Sequence, residues 1–329
     1  MTATATSTRR PAPSRRRKHT DRGMDRGFRY LSVGAGTLIL VVLAAVAVFL
    51  VWEGLPAIRH QDISSVVGWI PAGGTLWTVI GPLIFGTILA SVVALAIAVP
   101  VAIGIALFIS HYAPRRLANG LGYVVDLLAA IPSVVYGLWG VLVFAPHVKP
   151  VWQFLVDYFG WIPLFAGDEH GNASNPPRVL MTVAIVLAVM ILPIITAVTR
   201  EVFLQTPRLH EEAALALGAT RWELIRMAVL PFGRSGVISA AMLGLGRALG
   251  ETMAVLMILS PGLLYSWKLL VASQQQTIAA NIAAKFNDAD EISRSALIAT
   301  GLALFVITLL VNMAARWIVS RNKEFSGAN

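Results

Sequence analysis

The chain has 329 residues, of which 57% are hydrophobic and only 13% charged, with a mean hydropathy of +0.72. A soluble domain of this size does not need so much apolar surface, so composition sets a polytopic, all-α membrane protein as the expectation. Cysteine is absent, which excludes structural disulfides and thiolate metal sites. The formal charge of +9 suggests nucleic acid only in a soluble protein, and its placement here argues against that partner.

Residues 1–27 carry Arg9, Arg10, Arg15, Arg16, Arg17, Lys18, Arg22 and Arg26 among Thr, Ala, Ser and Pro. Such a stretch cannot bury a core and reads as a disordered basic tail. Its charge holds that side of the membrane in the cytoplasm. Contact with anionic lipid headgroups, at about 1 kcal/mol per basic residue, is the alternative role. The apolar run that follows exceeds a signal-peptide core and reads as an uncleaved signal-anchor.

Six runs are long enough to cross a hydrocarbon core of roughly 30 Å. They are Phe28 to Trp52, Leu76 to Ser110, Leu121 to Phe144, Val179 to Thr199, Val237 to Leu259 and Ala296 to Val319. The second is too long for one straight crossing and holds Pro82 and Pro100, so a tilt, kink or extension is expected. Arg115 and Arg116 follow the second run, Arg200 to Arg234 the fourth, and Arg316, Arg321 and Lys323 end the chain. With the basic tail these fall on one side, which places both termini in the cytoplasm. The opposite loops hold Trp69, Trp77, Trp152, Trp161 and Trp267, expected as interfacial anchors.

Between the fourth and fifth runs lies a polar, helix-forming loop. Thr206-Pro207 reads as a helix start, with a hydroxyl cap and proline at the first helical position. Glu211 and Glu212 lie early in that helix, where carboxylates suit the dipole. Leu209, Ala213, Ala216 and Leu217 form an apolar stripe, while Ala213 and Ala214 are small enough for close approach by a partner. Gly218 ends the helix in a left-handed conformation. Thr220 and Glu223 make a capping box for a second helix, closed by Leu230-Pro231.

The fifth run buries Arg247 and Glu251, four residues apart and so on one face of a helix. An arginine at mid-membrane costs about 2.5–3.5 kcal/mol on insertion scales, so it must face protein or water. A structural ion pair with Glu251 is one account. Gly246 and Gly250 permit close helix approach, and a planar guanidinium suits an oxyanion through two parallel hydrogen bonds. In the third run Pro132, Gly137 and Gly140 break or thin the helix, where Ser133 and Tyr136 offer hydroxyls to an anion or to backbone.

The Glu212-Ala213-Ala214 to Leu230-Pro231 segment resembles the cytoplasmic coupling loop of ABC-importer permeases. Its departure is Ala228, where such loops commonly carry isoleucine. The stretch GLGRALGET, Gly244 to Thr252, with Ala130-Ile131-Pro132-Ser133-Val134-Val135-Tyr136-Gly137-Leu138-Trp139-Gly140 and Arg200-Glu201-Val202, is similar to the C-type permease subunits of phosphate-specific ABC importers. The resemblance covers Leu76 to Val319. It implies a type I importer permease: a first helix and outer segment over 28–75, a core over 76–319 with its coupling loop at 200–234, and a cytoplasmic tail at 320–329.

It further implies that Arg247 and Glu251 matter for phosphate passage, with Ser133 and Tyr136 as secondary pathway residues. Glu211, Glu212, Ala213, Ala214, Gly218, Leu230 and Pro231 would serve coupling. The implied setting is a prokaryotic plasma membrane. The implied partners are inorganic phosphate, a homologous A-type permease, two ATPase subunits and an extracytoplasmic phosphate-binding protein, together with membrane lipid. No phosphate-binding glycine loop occurs, so ATP and magnesium belong to the ATPase, and the chain is expected to be no enzyme and to hold no cofactor. The six histidines show no metal spacing. A permease for sulfate or molybdate, or an ATP-independent channel or carrier, are the competing readings.

Overall fold

The structure, a computed structural model, describes residues 22–60 and 63–321; most of the basic tail and residues 322–329 lie outside them. The first helix, α1 (Arg22–Arg59), begins six residues before the apolar run. Compact packing divides the chain between Phe49 and Leu50. In the first unit, α1 exposes Leu38, Val41 and Phe49, as suits a helix solvated by lipid.

The second unit opens with the last turns of α1 and the short α2 (Ile63–Val66). Then comes α3 (Leu76–Leu107), which runs on through a π-helical turn at Phe108–Tyr112. Together these 37 residues are about 55 Å long at 1.5 Å per residue, so the expected extension beyond the bilayer is found. Down one side of α3, Ala90, Ala94, Ala98, Ala102 and Ala106 are all buried. This i, i+4 ladder of methyl groups lets α3 lie close against α7 (described below), where only small side chains permit it.

The third crossing breaks at Pro132, as expected, but its membrane-length piece lies further along the chain. Instead of one helix over Leu121–Phe144, the chain forms α4 (Arg115–Ala129), breaks at Ala130–Pro132, and restarts as α5 (Ser133–Trp139). A π-helical turn at Gly140–Phe144 joins α5 to α6 (Ala145–Phe159). The membrane-length piece is therefore Ser133–Phe159. Proline has no N–H and pushes the residue before it out of the helical region, so Pro132 ends α4 rather than kinking it.

After an outer loop, α7 (Leu180–Leu204) is the most enclosed element, with Val183, Val186, Leu187, Ile191 and Ile195 nearly inaccessible. Of the five tryptophans expected as anchors, Trp152 belongs to the core rather than to the surface, and Trp69 is partly buried. Trp152 is buried and its Nε1 donates to Thr182 Oγ1 at 3.0 Å. Trp69 lies 4.5 Å beneath the Lys285 ammonium, its ring nitrogen buried.

The loop beyond α7 carries α8 (Arg208–Ala216) and α9 (Arg221–Leu224). It does not end at Pro231. A π-helical turn at Ile225–Val229 leads into α10 (Leu230–Leu249), giving one helical span from Arg221 to Leu249. The wide turn explains how proline is accommodated: Leu230 N–H reaches back five residues to Ile225 O, and Pro231, next in line, has no N–H to place.

α10 stops at Gly250, a corner follows, and α11 (Met253–Ile258) starts in a new direction. The irregular segment beyond it is pinned by Leu269 N–H to Leu164 O, Met181 N–H to Leu269 O and Ser174 N–H to Leu270 O. α12 (Ile278–Lys285) and α13 (Glu291–Arg321) complete the chain. Ile278 N–H donates to Thr87 Oγ1, which fixes α12 on α3. Among the described residues, six helical stretches are long and apolar enough to cross a membrane, and this is a multi-pass membrane protein.

Candidate functional site

The two helix breaks meet. α5 packs on α11, and the glycines of α5 make the contact possible. A Cβ on Gly137 would sit 2.9 Å from the Ala254 Cα, and one on Gly140 would sit 2.6 Å from the Ile258 side chain. Larger residues would push α5 off α11 and open the junction.

Each break satisfies its freed polar groups internally. The Leu128 carbonyl would ordinarily accept from residue 132, which is proline and has nothing to donate. The Tyr136 hydroxyl takes that place, donating to Leu128 O at 2.9 Å. Tyr136 thus bonds backbone, the second of the two roles expected of it. Ser133, half-buried, is the first residue of α5.

At the other break, Thr252 Oγ1 donates to Gly250 O at 3.1 Å. The buried Glu251 carboxylate accepts from Ala254 N–H, also at 3.1 Å, capping the first turn of α11. A carboxylate suits that end of a helix dipole. Because the corner lies between them, Arg247 and Glu251 do not share a helix face, and the expected i, i+4 pair is not formed. Arg247 lies in the last turn of α10, half-buried, with no carboxylate within ion-pair distance among the described residues. The two breaks therefore bring a half-buried guanidinium on α10, a tyrosine on α5 and a carboxylate engaged by its own cap to the elements that form this junction.

The loop follows its expected chemistry at two places. Gly218 has φ of +81°, the left-handed region that favours glycine. Thr220 and Glu223 form both bonds of a capping box, Thr220 N–H to Glu223 Oε2 at 2.8 Å and Glu223 N–H to Thr220 Oγ1 at 3.3 Å. The helix start shifts by one residue: Pro207 is the extended cap of α8, and the Thr206 hydroxyl caps nothing. Proline's own φ supplies the extended geometry, so no hydroxyl is required.

The two alanines of the loop face opposite ways. Ala214 is buried against the ends of α3 and α7 with Ala106, Leu107, Phe203, Leu224, Ile225 and Val229. Ala213 is exposed with Leu209, Ala216, Leu217 and Glu212. So the apolar stripe points away from the protein, while the inward face of α8 is Ala214 and the half-buried Glu211. Leu230 and Pro231 sit at the root of α10.

Sequence reasoning missed two groups here. Arg178 donates through its guanidinium to Ile258 O and Met257 O, both at 3.3 Å, closing the C-terminal end of α11. His111, at the π-helical end of α3, contacts Glu211. Neither partner is near in sequence, so no spacing signal pointed to them.

A family model for the binding-protein-dependent transport system inner membrane component matches residues 98–324. The chain is 46% identical over 303 residues to the phosphate transport system permease protein PstC 2 of Mycobacterium tuberculosis, covering 89% of this chain and 91% of that protein. It is 44% identical over 315 residues to PstC of Mycobacterium leprae, covering 94% and 97%. PstC of Xylella fastidiosa strain Temecula1 is 38% identical, covering 93% and 94%. Among solved structures, a bacterial ABC transporter involved in import of the acidic polysaccharide alginate superposes with a TM-score of 0.53 at 14% identity, over 91% of this chain and 97% of that one. An inward-facing methionine ABC transporter gives 0.50 at 15% identity, over 80% and 99%. These two show the shared fold.

Proposed function

We propose that this chain, which belongs to the family of binding-protein-dependent transport system inner membrane components, conducts inorganic phosphate as a permease subunit of an ATP-driven importer. The observation that carries the reading is Arg247, a guanidinium at membrane depth with no carboxylate paired to it among the described residues. A cation in such a place is expensive and is retained for a partner that comes and goes. A phosphate dianion is the partner whose geometry matches a guanidinium fork.

In this reading Arg247 attracts phosphate and Glu251 is the countercharge. While Glu251 caps α11, the guanidinium is free for the anion. A change at the Gly250 corner that brings the two charges together discharges the site and repels the dianion. Tyr136 and Ser133 line the same junction as secondary contacts.

The loop over 206–231 is the docking element for an ATPase subunit that supplies ATP and magnesium chemistry. Support comes from the exposed apolar stripe of α8 and the exposed Glu212 beside it. The remaining partners are a homologous permease, a second ATPase copy and an extracytoplasmic phosphate-binding protein. Both termini lie in the cytoplasm of a prokaryotic cell, as the distribution of arginine predicts.

The test is phosphate uptake into proteoliposomes holding this chain, its permease partner and the ATPase, with binding protein outside and ATP inside. Uptake that requires ATP and is competed by phosphate but not by sulfate or molybdate is the expected result. ATP-dependent uptake preferring another oxyanion overturns the substrate, and uptake without ATP overturns the coupling.

A further inference from the structure

We propose that His111 and Glu211 are a positioning pair that ties α8 to the end of α3, and that movement of α8 reaches the membrane helices through it. The inference rests on the reading above, in which α8 is where the ATPase pushes.

The π-helical turn at Phe108–Tyr112 brings His111 to face α8. Ser110 Oγ donates to Ala106 O at 2.8 Å, which uses its one hydrogen. Its 2.7 Å contact with His111 Nδ1 is therefore donated by the ring. The other ring nitrogen, Nε2, lies 3.5 Å from Glu211 Oε1.

The rest of α8 holds on weakly. Ala214 is its one buried residue, a single methyl group in the cluster formed by the ends of α3 and α7. Leu209, Ala213, Ala216 and Leu217 all point away. Among the described residues, His111–Glu211 is the only contact at ion-pair distance between a basic and an acidic side chain. It joins residues a hundred positions apart, one on the longest membrane element and one on the loop. Glu211 is distinct from Glu212, its neighbour, which is exposed and free to meet a partner.

Two measurements test the pair. The chain has no cysteine, so His111→Cys with Glu211→Cys in membranes is open to bridging by a short bis-thiosulfonate reagent. A bridged peptide by mass spectrometry is expected, and its absence overturns the contact whatever the chain transports. In the reconstituted importer, phosphate moved per ATP hydrolysed is the readout. His111→Gln and Glu211→Gln should each lower that ratio about threefold, within the range of a partly exposed pair. His111→Lys should keep it, and the exchange His111→Glu with Glu211→His should restore it. Single variants with the wild-type ratio, or an exchange no better than the singles, overturn the proposal. A wild-type importer that moves no phosphate with ATP sinks the proposed function, and the bridging result then decides the pair alone.

Discussion

Glu251 separates two roles that one substitution usually confounds. Its carboxylate is buried and accepts one hydrogen bond, from Ala254 N–H at 3.1 Å, at the first turn of α11. Glu251→Ala removes the cap and leaves the N–H of Ala254, itself buried, without a partner. A lost cap costs about 1 kcal/mol, and the stranded donor brings the total to about 2 kcal/mol. For a chain of this length that is about 4 °C in Tm. Glu251→Gln keeps an oxygen at the same place. It loses the charge–dipole gain of about 0.3–1 kcal/mol and is relieved of holding an unpaired buried charge. The two nearly cancel, and Tm should stay within about 2 °C of the original. Phosphate uptake should nonetheless fall at least about tenfold in both, equivalent to about 1.4 kcal/mol on the barrier. Thermal denaturation in detergent and proteoliposome uptake read the two effects separately. If Glu251→Gln transports normally, the charge is not part of the cycle. Should it melt as early as Glu251→Ala, the carboxylate is held by a cation and the capping account is wrong.

Arg247→Gln should abolish uptake while the complex still assembles, since no carboxylate is left stranded by its loss; co-purification of the subunits checks the second half. Gly86→Ala should cost about 1–3 kcal/mol, because a Cβ there would overlap the Gln276 carbonyl oxygen, a backbone atom unable to turn aside. Gly104→Ala, with open space around it, should instead stabilise α3 by up to about 1 kcal/mol, and a common Tm for the pair would refute the packing at α12. Asp168 accepts from the N–H groups of Asn172 and His170 at 2.8 and 2.9 Å. The bond from Asn172 does most to hold its carboxyl below the ordinary value of 3.8. A depressed carboxyl stabilises the outer turn above the unfolded value and loses that contribution as pH falls through the folded one. Amide exchange at Gly171 and Asn172 should thus be unchanged from pH 7 to 5 and faster, relative to intrinsic rates, below about pH 4; Asp168→Ala should remove that step.

What was legible in the sequence was chemistry that acts over a few residues. Gly218 at a helix end and the Thr220–Glu223 box both depend on neighbours within one turn, and both stand as expected. The number of crossings was legible too, since apolar length is a sum over residues. Of the two breaks, the one at Pro132 was legible from the proline, and the one at Gly250 was not. At Gly250–Thr252 apolar residues continue on both sides, so no length signal marks the break, and its polar groups are bonded inside the protein. Tyr136 repays Leu128 for the amide that Pro132 lacks, and Thr252 and Glu251 do the same beyond Gly250. Membrane protein tolerates broken helices only under that condition. Where no proline marks it, a break that meets the condition looks like continuous helix.

The same fact revises the charge pair. On a straight helix, Arg247 and Glu251 would neutralise each other, and the arginine would be explained by structure alone. The break at Gly250 lets the Glu251 carboxylate accept from Ala254 N–H, and Arg247 has no carboxylate within ion-pair distance among the described residues. Two discontinuous helices, packed through Gly137 and Gly140, thus hold one cation and one anion close in sequence and unpaired in space. Only a third party or a change at the corner neutralises them. That is the condition a carrier for an anion has to meet: a site that attracts its cargo in one state and supplies its own counter-ion in the next.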